Sequence, residues 1–216
     1  MNTDTILTEA RAFARRELEA DSSGHDWQHT ARVAHTACAL ARTEGADAFV
    51  CELAALLHDI ADEKLNPSKE AGLSKVESWM KEQQAASPVL EHVLQIIGSM
   101  SYGGGQGGKL PTLEGRIVQD ADRLDALGAV GIARTFAYSG WKGQLIFDPE
   151  LKPRATMSRE QYRQERSTAI NHFYEKLLKL KDLMNTETAR RLAEERHAFM
   201  EAYLTQFYRE LEPGLD

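Results

Sequence analysis

The stretch from Ala48 to Leu57 constrains this chain more than any other. It is apolar apart from Glu52, and it runs straight into His58-Asp59. A segment that is greasy on all sides folds as a buried helix. An imidazole and a carboxylate set side by side at its end cost several kcal/mol unless something pairs with them. A divalent metal ion is the partner that suits both groups best. Three more residues sharpen that reading: His29 upstream, Asp62 one turn on, and Asp122 far downstream.

The rest of the chain reads as helix. Residues 3–20 are rich in Ala, Glu, Arg and Leu, all good helix formers. Val33, Ala37, Leu40 and Ala41 mark one face of a helix over 26–44, and the buried helix is expected over 47–62. Further helices are expected at 68–83, at 87–100 with Pro88 in the first turn, at 112–127 and at 128–139. Gly128 and Gly131 leave room there for close packing. Residues 140–157 read as an irregular loop, a kind that is usually functional or interfacial at this length.

In the tail, Ile170, Phe173, Leu177, Leu180 and Met184 predict a long helix with a narrow apolar seam. Asn185-Thr186 breaks it and caps a second long helix that buries Leu192, Phe199, Met200, Tyr203, Leu204 and Phe207. No segment alternates with the period of a strand. The expected architecture is all-α with about nine helices. A chain of 216 residues can bury one such core. The boundaries are one domain over 1–216, with a metal-binding core at about 20–140 and a C-terminal helical pair at about 158–210.

Composition removes several function classes. A net charge of −7 argues against non-specific nucleic-acid binding, which runs on basic surface. Cys38 and Cys51 form neither a CxxC pair nor a disulfide framework. No apolar run reaches the roughly 18–20 residues that cross a bilayer, so no membrane partner is expected. The N-terminus lacks a secretion pattern, and the expected location is the cytoplasm. The glycine loop 103–108 matches parts of the dinucleotide and P-loop patterns, but both need a preceding strand. Leu110 also stands where a P-loop has Ser or Thr. A connector or lid is the better reading.

The candidate ligands are His29, His58, Asp59 and Asp122, two imidazoles and two carboxylates from three helices. Such a mixed set suits one manganese, magnesium, iron, cobalt or nickel ion. On an octahedral ion it leaves positions for water and substrate, as metal-assisted hydrolysis requires. Asp62 is placed to orient water or to move a proton, with Glu63 a neighbour in the same role. Asp26, three residues before His29, is a candidate acceptor for its imidazole. His25, Arg32, Lys109 and Arg123 are the candidates for substrate contact, with Lys64 and Arg116 further cations for phosphate. Taken singly, each histidine or aspartate has an ordinary structural reading. Asp120, Asp122 and Asp125 could be one solvated helix face. Only the combination outweighs this.

The strings Gly24-His25-Asp26-Trp27-Gln28-His29-Thr30-Ala31-Arg32-Val33, Leu53-Ala54-Ala55-Leu56-Leu57-His58-Asp59 and Gln119-Asp120-Ala121-Asp122-Arg123-Leu124 resemble the HD superfamily of metal-dependent phosphohydrolases. Gly131–Tyr138 and the tail from His172 to Thr188 are similar to a bacterial stand-alone branch acting on nucleoside triphosphates. The resemblance implies the HD helical fold, one divalent metal, and His29 and Asp122 rather than His25, Asp120 or Asp125 as first and last ligands. It also implies a phosphorylated substrate, a nucleotide, cleaved to a nucleoside monophosphate and pyrophosphate. A 5′-nucleotidase or other nucleotide phosphodiesterase is the alternative, and a non-catalytic nucleotide or metal sensor is the alternative of another class. The tail seam packs within the chain or across the axis of a homodimer.

Overall fold

A computed structural model describes residues 2–19, 26–62, 65–100, 110–154 and 167–211. Among these residues there are nine α-helices: α1 Thr3–Leu18, α2 Trp27–Glu44, α3 Ala48–Leu57, α4 Lys69–Glu82, α5 Ser87–Ser99, α6 Leu113–Asp125, α7 Gly128–Trp141, α8 Ala169–Glu175 and α9 Glu187–Leu211. The described residues contain no strand and no helix long and apolar enough to cross a membrane. The fold is all-α, as the periodicity predicts. The glycine loop 103–108 lies outside the described residues.

Local chemistry sets the helix starts. Side chains of Asn2, Asp26, Asp47, Ser68, Thr112 and Thr168 each accept a hydrogen bond from a first-turn backbone N–H. Thr186 does the same for α9 by accepting from Ala189 N. Pro88 lies in the first turn of α5, where its missing N–H costs nothing. Gly45 ends α2 in the left-handed conformation, at φ 75°.

α3 is the hub. It packs against α1, α2, α5 and α6, and every residue from Val50 to Leu57 is buried. Its one acid, Glu52, is paired with Arg11 of α1, which answers the cost of burying a carboxylate. α6 lies against α2 and α3, and α9 closes over α2, α6 and α7. A continuous apolar core runs from Ile6 of α1 to Leu204 of α9.

Three expectations need correction. On α9 Met200 and Leu204 are buried and Leu192, Tyr203 and Phe207 partly so, but Phe199 is 53% exposed. The buried helix stops at Leu57 rather than at residue 62, and Asp59–Ala61 is a 3-10 turn. Asn66 makes the tighter turn possible by donating through Nδ2 to the carbonyls of Ile60 and Asp62 at 2.7 and 2.9 Å. The seam of the tail is likewise not one helix. α8 ends at Glu175, Lys176 leaves helical geometry at φ −135°, and Leu177–Lys179 and Lys181–Leu183 are 3-10 turns. The seam residues Ile170, Phe173, Leu177, Leu180 and Met184 are nevertheless all buried within the chain. Packing and polar anchors override helix propensity here. Arg154 and Ser167 both donate to the Glu175 carboxylate, and Arg123 donates to the carbonyl of Leu183.

Candidate metal centre

Three elements converge on one spot. α2 brings His29, the end of α3 and the turn after it bring His58 and Asp59, and the last turns of α6 bring Asp122. Ligand atoms of His29, His58 and Asp59 lie within 4.8 Å of one another. His29 Nε2 stands 3.3 Å from Asp59 Oδ2 and 3.4 Å from Asp122 Oδ1. His58 Nε2 stands 3.2 Å from Asp59 Oδ1 and 3.9 Å from Asp122 Oδ1. The two rings meet edge to face with centroids 5.6 Å apart. Asp59 is buried, whereas the Asp122 side chain is 39% exposed, so the cluster opens to solvent on the α6 side.

The cluster fits a divalent cation. His58 Nδ1 lies 2.7 Å from the carbonyl oxygen of Ala55, which can only accept, so the ring proton belongs on Nδ1. His58 Nε2 is then a buried lone pair with no hydrogen-bond donor facing it among the described residues. Buried polar atoms of this kind are rare, and two carboxylates beside it point to a cation as the missing partner. The electrostatics agree. Burial works to raise the Asp122 pKa, but the imidazoles of His29 and His58 outweigh it and hold the carboxyl well below its usual range. Burial likewise works against a charged His29, yet Asp122, Asp125 and Asp59 together raise its pKa well above the usual value.

Asp125 was legible only as part of an acidic helix face, but it is buried. Its Oδ2 lies 2.7 Å from His29 Nδ1, and its carboxylate accepts from Arg32 at 2.7 and 3.0 Å and from Arg134 at 2.9 Å. Burial works to raise its pKa, but His29, Arg32 and Arg134 bring it down to about 2. Asp26 does not take the imidazole proton. Its Oδ1 accepts from the backbone N–H of His29 at 2.8 Å, because a residue three positions before His29 is the helix cap.

The remaining candidates are placed as follows. Asp62 directly follows the turn, its own N–H bonded to the Asp59 carbonyl at 3.0 Å. Arg32 lies one turn beyond His29, with its side chain 40% exposed. Arg123 is turned to the Leu183 carbonyl, and Arg116 donates to the carbonyl of Leu110 at 2.8 Å. His25, Glu63, Lys64 and Lys109 lie outside the described residues. Arg134 was not singled out from sequence. The available signal was its i, i+3 spacing from Gly131, which α7 needs for close approach: a Cβ there would lie 2.2 Å from the Ala126 carbonyl oxygen.

The HD domain family model matches residues 26–127, a span that holds all four ligand candidates. YpgQ of Bacillus subtilis is 41% identical over 208 residues, covering 95% of this chain and 93% of that protein. The crystal structure of YpgQ in complex with ADP superposes with a TM-score of 0.79, over the full length of both chains. An HD-superfamily hydrolase from Bacillus thuringiensis, 47% identical, superposes with a TM-score of 0.78 over 98% of this chain and all of that one. With an imidazole–carboxylate cluster that can hold a metal and relatives of this kind along its whole length, the chain belongs to the HD domain family and is a metal-dependent hydrolase.

Proposed function

We propose that this hydrolase acts on nucleotides, and that its reaction is pyrophosphohydrolysis of a nucleoside or deoxynucleoside triphosphate to the monophosphate and pyrophosphate. The observation that carries the phosphohydrolase reading is the buried lone pair of His58 beside Asp59 and Asp122, in a cluster open to solvent on one side. The nucleotide reading is supported by the ADP complex of YpgQ.

His29, His58, Asp59 and Asp122 would hold one divalent cation, with manganese the first choice for a mixed nitrogen and oxygen set. Such an ion supplies Lewis-acid polarisation of a phosphoryl oxygen and lowers the pKa of water. The chain's own groups supply the rest. Asp62 directly follows the ligand turn, half-buried, and is assigned the proton transfer, with Glu63 as its neighbour. Arg32 offers the phosphates a guanidinium on the same helix face as His29, held at its base by Asp125. His25 and Lys109 remain assigned to substrate contact, whereas Arg123, which donates to the Leu183 carbonyl, is assigned to holding the tail.

The test is direct. The protein is incubated with manganese and a panel of nucleoside tri-, di- and monophosphates, and the products are separated by ion exchange. Pyrophosphate and monophosphate from triphosphates are expected. Orthophosphate from monophosphates would replace this reading with a 5′-nucleotidase. Tight nucleotide binding without turnover across metals would replace it with a sensor.

A further inference from the structure

Asp125 sits one turn beyond Asp122 on α6, so the two carboxylates share a face. Asp122 points its Oδ1 at the Nε2 atoms of both imidazoles, while Asp125 meets the other nitrogen of His29. Asp125 is 5% exposed, and four contacts converge on it: His29 Nδ1 at 2.7 Å, Arg32 Nε at 2.7 Å, Arg32 Nη2 at 3.0 Å and Arg134 Nη1 at 2.9 Å. A carboxylate beside two guanidinium groups is ionised and can only accept. The proton of a neutral His29 ring must then sit on Nδ1. That leaves the lone pair on Nε2, which faces Asp59 and Asp122.

We propose that Asp125 is a positioning residue that sets the metal affinity of the site by fixing the tautomer and tilt of His29, and that Arg134 acts through Asp125 by holding its carboxylate in place. The proposal rests on the metal-site reading above. The two imidazoles are treated differently: His58 leans on the neutral carbonyl of Ala55, whereas His29 leans on a charged carboxylate. A charged acceptor makes the ring a stronger donor to a cation. The fold is built to deliver this contact. Only a glycine at 131 lets α7 approach the Ala126 carbonyl next to Asp125, and Arg134 stands one turn further along α7.

The experiment measures manganese binding by calorimetry with no nucleotide present, in the full chain and its variants. Asp125→Asn keeps the shape but offers an amide that can present a donor to Nδ1. We expect about 10–100-fold weaker binding with unchanged far-ultraviolet circular dichroism. The visible spectrum of the cobalt-loaded variant should also shift. Arg134→Ala should weaken binding less, Arg134→Lys should restore part of it, and Arg134→Ala should add nothing on top of Asp125→Asn. Binding by Asp125→Asn within two-fold of the unaltered chain would overturn the role of Asp125. Equal effects of Arg134→Ala in both backgrounds would overturn the role of Arg134, and if Asp125→Asn fails to fold, no weakening in Arg134→Ala overturns the proposal. An unaltered chain that binds manganese but hydrolyses no nucleotide removes only the functional reading. One that binds no divalent metal removes both.

Discussion

Asp59 is the buried carboxylate of the centre, and it lies within 3.3 Å of a nitrogen on each imidazole. No other side chain in the cluster approaches both rings so closely. Replacing it with alanine takes away the negative charge that makes the pocket attractive to a cation. Because Asp59 follows α3 rather than sitting inside it, the helix keeps its hydrogen bonds. Asp59→Ala should therefore lose detectable manganese binding in calorimetry and lose hydrolysis, with helical content unchanged by circular dichroism. Retained activity would remove Asp59 from the centre. Asp62→Asn should behave differently: manganese affinity within two-fold of the unaltered chain, with kcat down by about 10²–10⁴-fold as expected for loss of a proton-transfer group. A matching loss of affinity would make Asp62 a ligand instead. Among the four ligand candidates, His58 and Asp59 were legible because they end an apolar helix, whereas His29 and Asp122 were legible only in combination with them and through the family resemblance. Asp125 and Arg134 were not. Their roles depend on the rotation of α6 and α7 against α2, and 96 positions separate His29 from Asp125. A spacing rule within one helix cannot supply that relation.

Between residue and fold stands the joint of α3, its 3-10 turn and α4. A Cβ added to Gly72 of α4 would lie 2.6 Å from the backbone oxygen of Ala61, closer than real contacts allow. Backbone is on both sides of this contact, so neither can rotate away. Gly72→Ala should cost about 1–3 kcal/mol by overpacking. Ala61 closes the turn that begins at Asp59, so the displacement also reaches the centre. The expected result is a melting temperature lower by several degrees together with weaker manganese binding, read by thermal melts and calorimetry on the same sample. A lower melting temperature with unaltered binding would mean that the turn moves independently of the ligands. Apart from the early end of α3, helices up to α7 were legible to within a few residues because the apolar period and the caps agree. The last helix was legible too, with its cap at Thr186, but residues 170–184 were legible only as a pattern of burial. Spacings of three and four place Leu177 and Leu180 inward whether the backbone forms an α-helix or successive 3-10 turns. The choice between them rests on Glu175, Arg154 and Arg123, which meet only after folding.

For the whole molecule, two histidines with opposite shifts set the response to pH. Burial, helped by Lys176 and opposed by Glu175, lowers the His172 pKa to about 3. The unfolded chain takes up that proton near 6.5, so below 6.5 it binds more protons than the folded chain. Stability therefore falls as the solution is acidified toward 3, by up to about 1.4 kcal/mol per pH unit. His29 works the other way when no metal is bound. Its raised pKa means that the folded chain keeps a proton the unfolded chain releases above 6.5. That stabilisation is complete below 6.5 and is lost as pH rises through the folded value. The carboxylates with lowered values, Asp122, Asp125 and Glu175, lose their contribution only below about 4.5 and do not enter this window. Thermal melts in a chelator between pH 5 and 8, below the range where burial of Cys38 and Cys51 adds its own alkaline decline, should thus peak near 6.5. His172→Gln should flatten the acid limb alone. Saturating manganese should abolish the alkaline decline, because an ion held by Nε2 replaces the proton, and at 100 times its dissociation constant it should add about 2.7 kcal/mol. A chelated protein whose stability rises steadily from pH 6.5 to 8 would show that His29 does not hold a proton against Asp59, Asp122 and Asp125.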